Sequence, residues 1–257
     1  MGNPGPTRGR LFLVPAPLDF GCDIQTDLQD ALPDATLRAA ATLSHWVCEN
    51  AKTARAYLKR IDALHPLCVP IQAMHITELP REVHKKGDHD GSFDARHLLA
   101  PALQGYDTGL LSEAGMPAIA DPGSSVVRAA HDLELAVVPL VGPMSLMLAL
   151  AASGMNGQDF AFVGYIPSGP AERVARIRAL EAQALGRGQT QLLIETPYRN
   201  PALLASLLQT LGPETRLATA SGLGMPGETC RSASVKTWRA KGWTCDKSTP
   251  TVFVIGR

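Results

Sequence analysis

The sequence predicts an α/β protein made of two α/β domains, and three observations support this fold class. In the first half of the chain, short apolar runs such as residues 11–15 and 137–140 alternate with segments of helical periodicity. That alternation is typical of βαβ units around a parallel sheet. The pattern of residues changes in the second half of the chain, which indicates a separate domain. Glycine- and proline-rich loops follow strands in both halves. We therefore predict an N-terminal domain at residues 11–141 and a C-terminal domain at residues 142–257.

Composition limits the classes of function. The chain has 257 residues with 24 Lys+Arg and 24 Asp+Glu, so its formal net charge is zero. A net charge of zero argues against a protein that attracts nucleic acid through an overall positive charge, but it allows a local basic patch. The longest apolar run, residues 144–152, is too short to cross a bilayer, so no membrane partner is expected. Five cysteines without paired spacing indicate reduced thiols and a cytoplasmic protein.

The first half contains the elements of the predicted parallel sheet. Strands are predicted at residues 11–15, 45–48, 108–111 and 137–140, and helices at 27–42, at 93–103 and after Ser124 or Ser125, which would cap the last helix. A further helix is predicted after residues 49–52, with Ala54, Tyr57, Leu58 and Ile61 on one side. We predict that residues 1–10 are a disordered leader and that residues 73–92 are an irregular polar loop. This loop carries His75, His84, His89, Asp88 and Asp90, but no zinc-type ligand spacing, so no metal site is predicted.

The second half begins with a helix at 144–152 that is apolar on nearly all faces and is expected to be buried between the domains. Strands are predicted at 160–164, 191–194, 216–220, 233–238 and 251–255, and helices at 171–185 and 200–211, with Asn200 as the cap of the last. Residues 222–227 match the G-x-G-x-x-G spacing. Residues 228–238 look extended rather than helical, so nicotinamide or flavin binding is not predicted.

The loop at residues 112–123 is the most informative stretch. It follows a predicted strand and is rich in small residues and proline, including Ala114, Gly115 and Pro117. Such a loop is stiff and allows close approach to its backbone. It also lies where ligands bind in open α/β sheets, at the carboxyl end of a strand. Physical reasoning alone leaves open a tight connection without any ligand.

This loop resembles the Ser-Asp-Ala-Gly-Thr-Pro-x-Ile-Ser-Asp-Pro-Gly signature of the tetrapyrrole methylase-like family, in its branch of small-subunit ribosomal RNA 2′-O-ribose methyltransferases. Eight of the twelve positions match, while Glu113, Met116 and Ala120 replace family residues. Three further stretches resemble family motifs in the same order, namely residues 138–143, 162–167 and 195–199. The resemblance covers roughly residues 11–255.

The resemblance implies two α/β domains with S-adenosylmethionine held in the cleft between them, no metal, and a homodimer. The residues that it implies for cofactor binding are Pro17, Ser112, Glu113, Ala114, Ile119, Ala120, Asp121, Gly164, Tyr165, Glu195, Thr196, Ser221, Gly222, Pro250 and Thr251. Glu49, Lys52 and Arg199 are the candidate substrate residues, and no catalytic residue is assigned. Since the sulfonium is already an activated methyl donor, the enzyme has mainly to align donor and acceptor.

Two loops depart from the ribosomal RNA branch. Residues 49–52 read Glu-Asn-Ala-Lys where relatives carry Glu-Asp-Thr-Arg, and residues 220–225 lack the relatives' ion pair and lysine. Lysine does not reproduce the bidentate phosphate binding of arginine. These losses favour retained cofactor binding with an altered acceptor, either another RNA site or a smaller molecule. Two alternatives stay open: a cofactor-binding protein without turnover, and a methyltransferase acting on a tetrapyrrole-type small molecule.

Overall fold

The computed structural model describes residues 7–19, 21–22, 24–86 and 91–257, with the side chains of residues 84–86 left out. The chain forms two compact units. Unit 1 comprises Met1–Phe20 and Thr26–Pro143, and unit 2 comprises Gly21–Gln25 and Met144–Arg257. Asp88, His89 and Asp90, named above in connection with a metal, lie outside the described residues.

The described part of unit 1 is built on a parallel sheet, as the sequence predicts. Its strands are β1 (Leu11–Val14), β2 (His45–Cys48), β3 (His75–Glu78), β4 (Thr108–Leu111) and β5 (Val137–Pro139). The strand order is β3-β2-β4-β1-β5, and every pairing is parallel. Consecutive strands therefore need crossover connections, and their carboxyl ends share one edge of the sheet.

Helices and short helical turns connect these strands. They are α1 (Leu28–Ala31), α2 (Asp34–Ala41), α3 (Ala51–Asp62), α4 (Arg81–Lys86), α5 (Ala100–Leu103) and α6 (Ser124–Asp132), with 3₁₀ turns at Ile71–Ala73 and Arg96–Leu99. Two apolar clusters pack in this unit. One surrounds Trp46, Leu58 and Ile61, and the other surrounds Leu99 and Leu110.

Several local predictions for unit 1 are wrong. The predicted helix at 27–42 is two helices, because Pro33 lacks a backbone donor and stands between α1 and α2. The polar stretch at 73–92 contains β3 and α4, since pairing with β2 stabilises a strand despite exposed polar residues. Residues 93–95 are not helical, and helical turns begin only at Arg96.

The amino-terminal segment and the cap of α6 also differ from expectation. Gly9 donates a backbone hydrogen bond to Ala102, and Arg10 pairs with Asp107 at 2.7 Å, so these described residues are tied to unit 1 rather than disordered. Residues 1–6 lie outside the described part. The cap of α6 is Gly123, at φ 133°, rather than Ser124 or Ser125.

A buried tyrosine anchors the exit from β1. Tyr57 is 6% exposed, and its hydroxyl donates a hydrogen bond of 2.8 Å to the carbonyl oxygen of Pro15. Tyr57→Phe should lower the free energy of unfolding by about 1–2 kcal/mol, because a buried carbonyl loses its side-chain donor. Urea denaturation measures the loss. Tyr106→Phe, at an exposed position, is the control and should change little; equal effects from the two variants would contradict this role.

Unit 2 contains a mixed sheet in its described residues. The strands are β6 (Phe160–Tyr165), β7 (Thr190–Ile194), β8 (Arg216–Ser221), β9 (Thr229–Ser234) and β10 (Thr251–Gly256), in the order β6-β7-β10-β8-β9. Only β6 and β7 pair in parallel within this sheet, and the other pairings are antiparallel. The carboxyl ends of β6 and β7 therefore lie at the same edge.

The helices of unit 2 are α7 (Ser145–Ser153), α8 (Pro170–Arg187), α9 (Asn200–Thr210) and α10 (Val235–Lys241), with a 3₁₀ turn at Pro197–Arg199. Its main apolar cluster includes Ile177, Leu207, Trp238 and Phe253. Arg173 on α8 is not a free surface cation, because its guanidinium donates to the carbonyls of Pro167 and Ser168.

Three predictions for unit 2 need correction. The predicted strand at 233–238 is wrong, because β9 ends at Ser234, whose hydroxyl accepts from the Thr237 amide and caps α10. Helix α7 is apolar on nearly all faces, as predicted, but it is not buried on all of them, since Leu148 is 43% exposed. Asn200 is the first residue of α9 rather than its cap, and its amide instead donates to the Thr249 carbonyl. A search of the described helices finds none that is both long and apolar enough to span a membrane.

Candidate functional site

The carboxyl edge of the unit 1 sheet gathers several of the predicted residues. Strands β2 and β4 are parallel neighbours, with Cys48 opposite Leu111, so Glu49 and Ser112 leave the sheet side by side. On the other side of β4, Leu111 is paired with Val14 of β1, after which the chain reaches the buried Pro17. The fold thus brings Glu49, Ser112 and Glu113 to one place from separate parts of the sequence.

The loop after β4 holds an unusual backbone conformation. The φ angles of Gly115, Ala118, Ala120 and Gly123 are all positive, at 66°, 64°, 65° and 133°. For alanine the left-handed region is strained, and such strain is often found at functional sites. The loop is fixed at Gly115, which exchanges two backbone hydrogen bonds with Ala16, at 2.9 and 3.0 Å. Ile119 and Ala120 are consequently presented at the surface.

The fixed position of Gly115 gives a testable consequence. A Cβ at this glycine would lie 3.2 Å from the Leu18 side chain and 3.4 Å from the Pro143 carbonyl, at a φ that disfavours L residues. Gly115→Ala should cost about 1–2 kcal/mol of stability, measured by urea unfolding. Gly154→Ala is the matched control, because Gly154 has φ 71° and open space around its Cβ. A smaller loss at Gly154 is expected; equal losses would show that packing at Gly115 contributes nothing.

Three carboxylates lie close together beside this loop. The Glu113 amide donates to the Glu49 carboxylate at 3.3 Å, and the Thr53 hydroxyl donates to the Glu113 carboxylate at 3.3 Å. Asp121 belongs to the same group. Burial, and then the charges of Glu49 and Glu113, raise the pKa of Asp121 to about 7. Burial and the charges of Glu49 and Glu113 all favour the protonated form of Asp121. A cation bound beside these carboxylates would offset their negative charges and would therefore be stabilised there.

Ser112 and Ala114 flank Glu113 at the start of the loop. Ser112 is 4% exposed, and its hydroxyl has no hydrogen-bond partner within the described residues. A buried polar group without a partner is rare in native structures and calls for an explanation such as a bound ligand or water. Ala114 is partly exposed. Nearby, Lys52 is exposed on the first turn of α3, where the Asn50 side chain accepts hydrogen bonds from the Lys52 and Thr53 amides.

In unit 2, Glu195 follows β7 and is almost completely buried. Its Oε1 accepts hydrogen bonds from the Thr196 amide at 2.9 Å and from the Thr196 hydroxyl at 3.2 Å. Its Oε2 lies 3.3 Å from Nη2 of Arg199. The two predicted roles, cofactor contact for Glu195 and substrate contact for Arg199, thus fall on residues that pair directly. Gly164, at φ 70°, and the exposed Tyr165 form the irregular end of neighbouring β6.

A second polar group in unit 2 contains residues from separate strands. The Ser221 and Thr251 hydroxyls are 2.9 Å apart, and the Gly222 amide donates to the Pro250 carbonyl at 3.0 Å. The sequence predicted only a capping role for Asn200, which is fully buried and whose side-chain oxygen has no hydrogen-bond partner in the described part of the chain. An amide at a position otherwise suited to an apolar helix residue was the available signal.

The structure thus groups the predicted residues in each unit. Those of unit 1 lie at the ends of β1, β2 and β4 and in the loop after β4, while those of unit 2 lie at the ends of β6 and β8, directly after β7 and at the start of β10. The two units contain different chemistry, acidic in the first and mostly hydroxyl and amide in the second. Over the ranges that the structure describes, no three His, Cys, Asp or Glu side chains form a metal-binding group.

Comparison with known proteins connects these features to one family. A sequence profile described as Tetrapyrrole (Corrin/Porphyrin) Methylases matches residues 31–238. A Pseudomonas aeruginosa protein named Ribosomal RNA small subunit methyltransferase I is 30% identical over 254 residues, covering 97% of this chain and 80% of that protein. A protein of the same name from Mesorhizobium japonicum is 28% identical and covers 90% of this chain and 69% of that protein.

Solved structures share the fold. Uroporphyrin-III-C-methyltransferase from Thermus thermophilus is similar with a TM-score of 0.54 and 20% identity, over 97% of this chain and 94% of that chain. The methyltransferase CobJ is similar with a TM-score of 0.57 and 16% identity, over the same shares of the two chains. At these identities the structures establish the fold alone, and they confirm the predicted α/β fold class.

Proposed function

Because the chain is a methyltransferase of the tetrapyrrole methylase family, we propose that its donor is S-adenosylmethionine and its acceptor a ribose 2′-hydroxyl of small-subunit ribosomal RNA. The names of the Pseudomonas and Mesorhizobium relatives support the RNA acceptor. S-adenosylmethionine is supported as the donor by the acidic cluster of Glu49, Glu113 and Asp121 beside the 112–123 loop.

The charge of the donor suits this cluster. S-adenosylmethionine carries a sulfonium and an ammonium against one carboxylate, so it is a net cation. The negative charges of Glu49 and Glu113 disfavour ionisation of Asp121, and a bound cation relieves that repulsion. The unpaired Ser112 hydroxyl offers a further hydrogen-bonding group at the same edge. The residues of unit 1 therefore fit the donor, and when bound it supplies an activated methyl group.

The residues proposed to contact the donor are those implied by the family resemblance. In unit 1 they are Pro17, Ser112, Glu113, Ala114, Ile119, Ala120 and Asp121; in unit 2 they are Gly164, Tyr165, Thr196, Ser221, Gly222, Pro250 and Thr251. Glu195, which the resemblance also implies, is not proposed as a donor contact, because its two carboxylate oxygens are engaged by Thr196 and Arg199. The domain ranges 11–141 and 142–257 and assembly as a homodimer belong to the same proposal. Light scattering of the purified protein tests the assembly state.

Other acceptors, or binding of the donor without turnover, would give different experimental results from this proposal. The loop at 49–52 lacks the relatives' arginine, and Lys52 cannot bind phosphate bidentately. This difference favours a changed RNA position or a smaller acceptor. A cofactor-binding protein without turnover would bind the donor but label nothing. A tetrapyrrole-type methyltransferase would label a small-molecule pool, an expectation that rests only on the shared fold.

The test combines binding and turnover. Isothermal titration should show binding of S-adenosylmethionine, and ligand at a hundred times its Kd should stabilise the protein by about 2.7 kcal/mol. Tritiated donor is then incubated with small ribosomal subunits from a strain that lacks its own ribose methyltransferases. Label in ribosomal RNA supports the proposal. Donor binding without label in RNA would reject the acceptor, and absence of donor binding would reject the whole proposal.

A further inference from the structure

The turn after β7 holds one arginine in a defined position. The Glu195 side chain is only 4% exposed, and both of its oxygens are engaged, one by Thr196 and the other by Nη2 of Arg199. A buried carboxylate is costly unless it is paired, so this ion pair is more strongly constrained than a surface pair. The ion pair with Glu195 therefore orients the guanidinium of Arg199 before any ligand binds.

Part of the Arg199 guanidinium is available to a ligand. The Arg199 side chain is 31% exposed, and Glu195 is the only partner that the described part of the chain gives its guanidinium. A guanidinium has five N–H donors, of which the contact with Glu195 engages one nitrogen. The remaining donors present the planar fork that matches the oxygens of a phosphate. An arginine that is held by an ion pair and is partly exposed can bind an oxyanion such as a phosphate.

An exposed aromatic ring lies next to the arginine. Tyr198, on the same Pro197–Arg199 turn, is 67% exposed, an unfavourable position for a large ring without a partner. Tyr165 at the end of neighbouring β6 is 58% exposed and is paired in register with Ile194, so a second ring lies at this sheet edge. An aromatic face beside a fixed guanidinium matches one nucleotide, whose base stacks while its phosphate is held.

We infer that Tyr198 and Arg199 bind one nucleotide of the acceptor RNA, through base stacking and phosphate contact, and that Glu195 is the positioning residue for Arg199. The inference rests on the proposed function, because the ligand is the RNA acceptor of that reaction. It gives Glu195 a different role from the cofactor contact implied by the family resemblance. It also places RNA recognition in unit 2, although the loop at 49–52 in unit 1 has lost its arginine.

The experiment measures RNA binding, turnover and donor binding for the full chain. The RNA probe is naked small-subunit ribosomal RNA lacking ribose methylation, bound on nitrocellulose filters at several salt concentrations. The variants are Arg199→Ala, Arg199→Lys, Glu195→Gln, Tyr198→Ala and Tyr198→Phe. Arg178→Ala is the matched control, because Arg178 is an exposed arginine on α8 of the same unit. Circular dichroism checks that each variant is folded.

Arg199→Ala should weaken RNA binding about tenfold and reduce the slope of log affinity against log salt by about 0.7, the value for one lost phosphate contact on a single strand. Tyr198→Ala should also weaken binding about tenfold without changing the slope, and Tyr198→Phe should behave like the original chain. Glu195→Gln and Arg199→Lys should give intermediate losses. The Kd for S-adenosylmethionine should stay unchanged in all of them, and Arg178→Ala should change neither ligand's affinity.

Two results would overturn the inference. One is equal RNA affinity for Arg199→Ala and the original chain; the other is a loss of donor affinity in Glu195→Gln, which would make Glu195 a cofactor contact. Filter binding does not depend on turnover, so the two proposals fail separately. A chain that binds this RNA through Arg199 but never methylates it rejects the proposed function and retains the nucleotide site. A chain that binds no RNA rejects the site as well.

Discussion

Trp238→Ala is expected to lower the free energy of unfolding by about 3–5 kcal/mol. Trp238 is fully buried in the apolar cluster of unit 2, and its indole Nε1 donates a hydrogen bond of 2.7 Å to the Leu217 carbonyl. Its ring also packs edge-on against Trp243, with centroids 5.0 Å apart. Alanine would leave a large cavity and a carbonyl without its side-chain donor. Urea unfolding, followed by circular dichroism, measures the loss.

Two control variants separate these contributions. Trp238→Phe keeps most of the ring volume and removes only the indole donor, so a loss of about 1–3 kcal/mol is expected. Trp243→Ala removes the half-buried partner ring and should cost less than Trp238→Ala, since less of its surface is buried. If Trp238→Ala were no more costly than Trp243→Ala, Trp238 would not have the central packing role described here.

Binding of S-adenosylmethionine is expected to strengthen about tenfold for each pH unit between 5 and 7 and to level off above pH 7. In the free protein, burial and the neighbouring Glu49 and Glu113 raise the pKa of Asp121 to about 7, so Asp121 is protonated in acid. A bound cation favours the ionised form and lowers this pKa. Binding below pH 7 therefore releases a proton, which gives the expected slope.

Titration calorimetry in buffers of different ionisation enthalpy measures both the Kd and the released proton. Asp121→Asn should bind the donor weakly at every pH, because its side chain is neutral, and should release no proton. Asp132→Asn, at an exposed position on α6 of the same unit, is the control and should follow the original chain. The demethylated product lacks the sulfonium and should show a shallower pH dependence. A donor Kd independent of pH would contradict the role of the acidic cluster.

The stability of the free protein should respond to pH in the opposite sense. A carboxyl group whose pKa is higher in the folded than in the unfolded chain binds its proton more tightly when folded. Its contribution to stability is therefore present in acid and is lost as the pH rises from about 4 to about 7. The cluster costs stability at neutral pH, as functional sites often do, and donor binding offsets that cost.

Local periodicity was sufficient to predict most elements. Leu203, Leu204, Leu207 and Leu211 recur at helical spacing, and all four are buried in the apolar cluster of unit 2. The short runs at residues 11–15 and 45–48 predict strands and contain β1 and β2. Periodicity failed at two places. The exposed strand β3 forms because it pairs with β2, and the predicted strand at 233–238 stops at Ser234 because this residue caps α10.

By itself, the sequence determined the family, the strand and helix content of most segments and the importance of residues 112–123, because these follow from local patterns and motif spacing. Only the tertiary structure decided the strand order, the left-handed conformations of Ala118 and Ala120, the raised pKa of Asp121 and the pairing of Glu195 with Arg199. The conformations and the pKa depend on surroundings that the fold creates, and Asp121 is influenced by Glu49 across 72 positions of the chain. Burial and Coulomb interactions act through space, so they appear only once the strand ends have been brought together.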